Sequence, residues 1–293
     1  MEEQILYESR IWEEKKMENV KKIAMSETNP DAYLEVYARN DGRKKPAVLI
    51  YPGGAYRFLS DGERYPIVDF FKGKGFQPFV LMYSVGQKAH YPDPILEGSK
   101  AVWEIRKHAK EYGVNPDQIT LVGFSAGAHA ALMLATLWQD DASREGTDIP
   151  YGGNRPNATV TGYTPTTFED FFDKPENKNA ASDGFGPEIV LGEKGTRWGD
   201  FRALTVHNFV TEQTPPAFLW KTSADLPTFS TKYAQACKEH GVECELHIFS
   251  DRNRCAAMEF DRGLAWQYRE GIAENTKLWG ELAVNWLHYI YEI

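Results

Sequence analysis

Cysteine is scarce in this chain: Cys237, Cys244 and Cys255 are the only three among 293 residues. An odd number without C-x-x-C spacing argues against a disulfide framework or a zinc site and implies a reducing compartment. Long apolar runs are missing too. No window approaches the ~18 consecutive apolar residues of a membrane-spanning helix. Positive charge is in deficit: 33 basic residues face 42 acidic ones, for a net charge of -9. The one basic trio, Arg43-Lys44-Lys45, follows the turn "NDG" and reads as a solvated loop. An acidic chain repels phosphate backbones, so a nucleic-acid partner is not expected. The N-terminal "MEEQILYESRIWEEKK" is charged throughout and lacks the apolar centre of a signal peptide. These absences predict a soluble, cytoplasmic protein with no membrane partner.

What is present is enough apolar residue, 42%, to build a full core. The length suits one large α/β domain over residues 1–293 carrying an insertion. "DAYLEVYAR" alternates and reads as an edge strand over residues 33–38. "PAVLIY", a short continuous apolar run, and after it "FQPFVLMYSV" and "QITLVG" read as buried strands, and "ATVTGY", "PAFLWKT" and "VECELHIF" read as further strands. Helical spacing falls between them, at residues 61–74, in "DPILEGSKAVWEIRKHAKEYG" with Gly113 as C-cap, at 126–138 and at 228–240. An amphipathic helix, "NTKLWGELAVNWLHYIYEI", closes the chain. Strands alternating with helices predict a mostly parallel sheet covered on both faces. Residues 164–214 break the rhythm, being rich in Gly, Pro, Asn, Asp and Phe. A structureless loop of that length is rare in a compact domain, so a cap-like insertion over the strand ends is expected. Its aromatics, Phe168, Phe171, Phe172, Phe185 and Trp198, either wall a pocket or pack the insertion onto the body.

"GFSAG", residues 123–127, matches G-x-S-x-G between a strand and a helix. A serine on that turn is held in a strained backbone conformation. Its Oγ projects at a helix N-terminus, where free N–H groups favour a developing oxyanion. Ser125 is therefore the candidate nucleophile; the plainer alternative is an N-cap serine. "YPGGAYR", residues 51–57, follows an earlier buried strand. Small residues there let main-chain N–H groups approach a tetrahedral intermediate. Gly54 and Ala55 are the expected donors from this turn and Ala126 the donor from the elbow. A serine hydroxyl needs a base, and the base an orienting carboxylate. In the chain order Ser, acid, His, the acid follows the strand "FLWKT" and falls on Asp225, unless that residue only caps a turn. The base belongs after Phe249, yet "SDRNRCAAMEFDRG" contains no histidine.

Taken together, "YPGGAYRFLSDGERYPIVDFFKGKGF", "VLMYSVG", "YPDPILEGSKAVWEIRKHAKEYGVNPDQITLVGFSAGAHAA", "TPPAFLWKTSAD" and "HGVECELHIF" resemble the bacterial acetyl esterase and carboxylesterase branch of the α/β-hydrolase superfamily, often described as xylan or sugar esterases. The resemblance spans about residues 46–249, is poor in the insertion, and implies an α/β-hydrolase fold. It implies Ser125 as nucleophile, Asp225 as triad acid and the amides of Gly54, Ala55 and Ala126 as oxyanion hole. It departs at two places. "LPTFS" after Asp225 is shortened, and the family's His-Gly after the last strand falls at or near Arg254, which cannot accept a proton at neutral pH. His129, one helical turn beyond Ser125, matches a histidine that packs inside. His90 and His207 are the remaining candidates to reach the site. His240, His247 and His288 lie at a helix end, in a strand and in the last helix.

The expected function is a serine carboxylesterase acting on small acyl esters, acetylated sugars among them, with activity impaired by Arg254. It needs neither metal nor organic cofactor. A non-catalytic homologue that binds a ligand or a protein partner, with Arg254 paired to Asp225 or to a bound carboxylate, is the alternative. A peptidase or lactonase of the same fold remains open, as does a homodimer.

Overall fold

The computed structural model describes residues 20–167, 190–193, 196–226, 228–253, 258–260, 266–268 and 271–293. Its main sheet contains β1 (Lys21–Ala24), β2 (Tyr33–Val36), β3 (Lys45–Tyr51), β4 (Gln77–Met82), β5 (Val114–Phe124), β6 (Ala158–Gly162), β7 (Ala217–Thr222) and β8 (Cys244–Phe249). They lie in the order β1-β2-β4-β3-β5-β6-β7-β8. The six strands from β4 to β8 are parallel, and β1 and β2 are antiparallel additions at one side. The strand expected at the edge is therefore second from it. The true edge, β1, reads "KKIA" and is largely exposed, too short and polar to carry an alternation signal. A second small hairpin, β9 (Met258–Phe260) with β10 (Trp266–Tyr268), also went unforeseen.

Among the described residues the helices are α1 (Tyr65–Gly73), α2 (Asp93–Lys107), α3 (Ala109–Tyr112), α4 (Ala126–Leu137), α5 (Thr231–Glu239), α6 (Glu274–Lys277) and α7 (Trp279–Tyr291). They divide between the two faces of the sheet. Leu49, Tyr51 and Leu121 point to the face covered by α2, α4 and α5, where Val102, Ile105 and Leu134 meet them. Val48, Ile50 and Val122 point to the face covered by α1 and α7, against Phe71, Trp279 and Leu287. Burial on both sides is why these strands read as continuous apolar runs rather than alternating ones. Each such side chain contributes ~1.5–3 kcal/mol of hydrophobic stabilisation. Every residue of α4 is buried, which accounts for its Ala- and Leu-rich sequence.

Between 164 and 214, three 3-10 turns are described, Arg197–Gly199, Phe201–Leu204 and Val206–Phe209. Leu204 and Val206 are buried in the core cluster of α4 and α5. Trp198 is buried with its ring 5.9 Å from that of Tyr91, so it packs this segment onto the body. Phe168, Phe171, Phe172 and Phe185 lie outside the described residues.

Candidate active site

The ends of β3, β5 and β7 build the candidate site, with the end of β6 between the last two. At the end of β5 the chain turns directly into α4, and Ser125 occupies the bend with φ 51° and ψ -120°. A positive φ in a non-glycine residue costs ~1–3 kcal/mol and persists only where the surroundings over-determine it. They do so here. Ser125 N–H donates to Gly162 O at the end of β6 (3.1 Å), and Ser125 O accepts from His129 N–H (3.1 Å), opening α4. The flanking glycines are required for space. A Cβ on Gly127 would overlap the carbonyl oxygens of Tyr51 and Pro52, and one on Gly123 would sit 2.6 Å from Ala128 Cα. Ser125 itself is half-buried, and among the described residues its hydroxyl has no hydrogen-bond partner.

The turn after β3 lies against this bend: a Cβ on Gly53 would stand 3.0 Å from Ser125 Cβ. Gly54, Ala55 and Tyr56 all have positive φ (133°, 55° and 59°). Two carbonyls in the turn are held from behind. Gly53 O accepts from Ser60 N–H (2.9 Å), and Gly54 O accepts from Arg57 N–H (2.9 Å). In a trans peptide the C=O and the following N–H point in opposite directions. The N–H groups of Gly54 and Ala55 thus face away from those acceptors, and neither has a partner among the described residues. The Ala126 N–H, first in α4, is likewise unclaimed. These three donors and the Ser125 hydroxyl lie at adjoining chain turns.

Asp225 is 6% exposed, just past the end of β7. Its Oδ2 accepts from Thr222 N–H (2.8 Å) and lies 3.1 Å from Thr222 Oγ1. Thr222 Oγ1 is also 2.8 Å from Asn253 O, so its single proton is shared between the two acceptors. The loop leaving β8 is thereby drawn back over the Asp225 turn. Ser223 Oγ donates to Asp251 O (2.8 Å) in the same junction. Asp225 stands two strands from Ser125, or ~10 Å at ordinary strand spacing, a gap that a bridging base has to span. Arg254, next after Asn253, lies outside the described residues.

His129, His90 and His247 have other partners. His129 is fully buried; its Nδ1 accepts from Tyr56 OH (2.7 Å) and its Nε2–H donates to Leu204 O (2.8 Å). Burial pushes it down to about 4, against a smaller opposing effect of the Leu204 carbonyl, so it is a neutral structural imidazole. His90 is exposed with Nδ1 on Leu191 O (2.8 Å), and His247 pairs with Glu245 (2.6 Å) on β8. His207 is half-buried in the Val206–Phe209 turn. His240 caps α5, and His288 stacks on Phe76. Sequence reasoning missed Glu63. Its carboxylate, 8% exposed, accepts from Gly53 N–H (2.6 Å) and Tyr163 OH (2.5 Å) beside the elbow. A glutamate in a loop ten residues downstream of a Gly-Gly turn carries no periodic or motif signal. Among the described residues no cluster of His, Cys, Asp and Glu is placed to hold a metal, and no helix is long and apolar enough to cross a membrane.

A parallel sheet of this strand order, with a strained serine between its central strand and the following helix, defines an α/β hydrolase. The chain belongs to the BD-FAE family, whose pattern matches residues 34–236. It is similar to the acetyl ester-xyloside bifunctional hydrolase from Caldicellulosiruptor lactoaceticus, with 28% identity, a TM-score of 0.72 and coverage of 93% of this chain and 97% of that one. It is 27% identical over 224 residues to the endo-1,4-beta-xylanase B of Butyrivibrio fibrisolvens, covering 74% of this chain and 33% of that protein. It is 24% identical over 242 residues to the acetylxylan esterase of Xylanibacter ruminicola, covering 80% of this chain and 45% of that protein. The chain thus spans less than half the length of these two curated relatives.

Proposed function

We propose that this chain is a serine carboxylesterase for small acyl esters, acetyl groups on sugars among them, with slow turnover. Ser125 Oγ attacks the acyl carbon. The N–H groups of Gly54, Ala55 and Ala126 receive the oxyanion. The bond to the alcohol oxygen breaks to leave an acyl-serine, and water then releases the acid. Asp225 takes the place of the orienting acid. Arg254, at the position of the base, cannot accept the serine proton, which must pass to water. Binding and oxyanion stabilisation without a complete triad still leave a rate ~10³ above water. The observation that carries the reading is the strained, half-exposed Ser125 beside three unclaimed main-chain donors. The names of the acetylxylan esterase and of the acetyl ester-xyloside hydrolase support the acyl group and the sugar alcohol.

Hydrolysis of p-nitrophenyl acetate by the natural chain and by Ser125→Ala tests it, together with uptake of a fluorophosphonate probe. Activity and labelling that both vanish with Ser125 are expected. Turnover that survives Ser125→Ala sinks the reading. A second reading, a homologue that binds its ligand without turning it over, is favoured by the absence of any hydrogen-bond partner on the Ser125 hydroxyl among the described residues. It predicts saturable binding of an acetylated sugar with no acetate released.

A further inference from the structure

We infer that Glu63 is a positioning residue for this site: its buried carboxylate sets the plane of the peptide that aims the oxyanion donors. The inference rests on the hydrolase reading and deepens it. Glu63 ends a 3-10 turn, Asp61–Glu63, and its side chain folds back beneath the loop that begins at Gly53. The peptide joining Pro52 to Gly53 is gripped from both sides. Tyr83 OH donates to its carbonyl oxygen (2.7 Å), and Glu63 Oε2 accepts from its N–H (2.6 Å). The next peptide is held through Gly53 O by Ser60 N–H (2.9 Å), which turns Gly54 N–H the other way. The chain of constraint therefore starts at the carboxylate and ends at the donors.

The other carboxylate oxygen extends the constraint to the elbow. Glu63 Oε1 accepts from Tyr163 OH (2.5 Å). Tyr163 follows β6 directly, has φ 39°, and donates its N–H to Trp220 O (2.7 Å). The residue before it, Gly162, accepts the Ser125 N–H. One side chain thus connects the turn after β3 to the strand end that holds the nucleophile. The contact is so close that Gly53 admits no side chain: a Cβ there would lie 2.6 Å from Glu63 Oε2 and 2.7 Å from Phe124 O.

The chemistry of the residue argues against mere filling. A buried negative charge near a developing oxyanion is unfavourable, and an apolar side chain would fill the space without that penalty. A carboxylate offers two acceptors and no donor, which matches two donors facing it, and charge-assisted bonds are about twice as strong as neutral ones. Glutamine satisfies only one of the two donors in the same way and presents an NH₂ to the other. Removing the charge should let the Pro52–Gly53 peptide rock and the donors lose their aim. That weakens binding of the tetrahedral state and leaves binding of the planar ester alone.

The test uses the full chain with Glu63→Gln and Tyr163→Phe. Five quantities are read: kcat and KM on p-nitrophenyl acetate, affinity for phenylboronic acid as a tetrahedral adduct of Ser125, hydrogen exchange of amides in residues 52–60, and the thermal midpoint. Glu63→Gln is expected to lower kcat by ~10- to 100-fold with KM within ~2-fold, to weaken the boronate by a similar factor, and to speed exchange in 52–60. Tyr163→Phe is expected to move all three the same way by a smaller factor, and carries the test if Glu63→Gln fails to fold. A loss expressed in KM alone, or unchanged exchange in 52–60, overturns the inference. If the natural chain neither turns over ester nor binds boronate, the hydrolase reading fails, and the exchange measurement still decides whether Glu63 pins the turn.

Discussion

The two halves of the candidate site are built from different materials. The nucleophile half consists of main chain: a bend at Ser125, a turn at residues 53–55, and glycines where strand ends touch α4. The acid half consists of side chains on loops, with Asp225 tied to Thr222 and Thr222 to Asn253. The first half is over-determined, since partners fix the direction of the peptides after Pro52, Gly53, Gly54 and Ser125. The second is held by side chains and loop carbonyls, through the Thr222 N–H and hydroxyl and the Ser223–Asp251 bond. Backbone geometry of this kind is lost only when the packing is lost. A catalytic side chain is lost by a single substitution that leaves the fold intact, so a hydrolase lineage can retain its oxyanion turn and lose its base.

Attacking the nucleophile half should have the largest effect. In Gly127→Ala the new Cβ meets the carbonyl oxygens of Tyr51 and Pro52, and neither is the end of a flexible side chain. The end of β3 has to move, and the donors of the 53–55 turn move with it. Activity on p-nitrophenyl acetate is expected to drop by ~10² or more. Stability is expected to drop by ~1–3 kcal/mol, read as a lower urea midpoint. Near-natural activity in a folded Gly127→Ala would show that the elbow is not under the constraint described. Repairing the acid half comes next. Arg254→His supplies an acceptor where the triad order places one, and general-base catalysis is worth ~10²-fold or more when the geometry is right. A gain in kcat is expected, together with a new inflection in the pH–rate profile near the ordinary histidine range of ~6.5. No gain would place the base elsewhere.

The same contrast explains what was legible in the sequence. "GFSAG" and "YPGGAYR" were readable because close approach of main chain to main chain admits only glycine or alanine, and strand and helix signals flank both stretches. The apolar runs of β3, β4 and β5 were readable because the central strands are buried on both faces, whereas β8 at the far edge is only partly buried. β1 was not readable, since its role is to pair through backbone and its side chains are largely exposed. Glu63 was not readable because its partner, Gly53, is ten residues away across a loop with no fixed period. The shared proton of Thr222 was hidden for a related reason: Asn253 takes part through its carbonyl, which every residue has.

Asp225→Asn should have a smaller effect, and its size is diagnostic. An acid acts through the imidazole it orients, and where that imidazole is present the change costs ~10⁴ in kcat. In the natural chain, if Arg254 stands where the base is proposed, a loss of less than ~10-fold is expected. In the Arg254→His background the same change should cost at least tenfold more than it does alone, the non-additivity of groups that act as a unit. Equal losses in both backgrounds would mean that Asp225 only caps the turn after β7.

The smallest expected net effect lies beneath the nucleophile half, where His129 and Glu97 oppose each other. Held at about 4 by burial, His129 stays neutral in the fold, while an ordinary histidine near 6.5 takes up a proton on unfolding. Between those values the unfolded chain binds more protons. His129 therefore contributes stability that is full above 6.5 and is lost as the pH falls toward 4, by ~3 kcal/mol. Glu97 has the opposite sign. Burial pushes it up to about 7 from an ordinary 4.5, so in that window the fold holds a proton that the unfolded chain releases, and falling pH stabilises. The two slopes oppose each other between 4.5 and 6.5, and the natural chain should show a shallow dependence there. Glu97→Gln removes one slope and leaves the other. Urea unfolding of that variant should lose stability more steeply than the natural chain as the pH is lowered from 6.5, while the His129 ring, followed by ¹⁵N NMR, keeps its Nε2–H tautomer down to about 4. A ring that takes up a proton near 6.5 in the folded protein would mean that the support under Ser125 is hydrated and loose, and the contrast between a rigid nucleophile half and a pliant acid half would lose its physical basis.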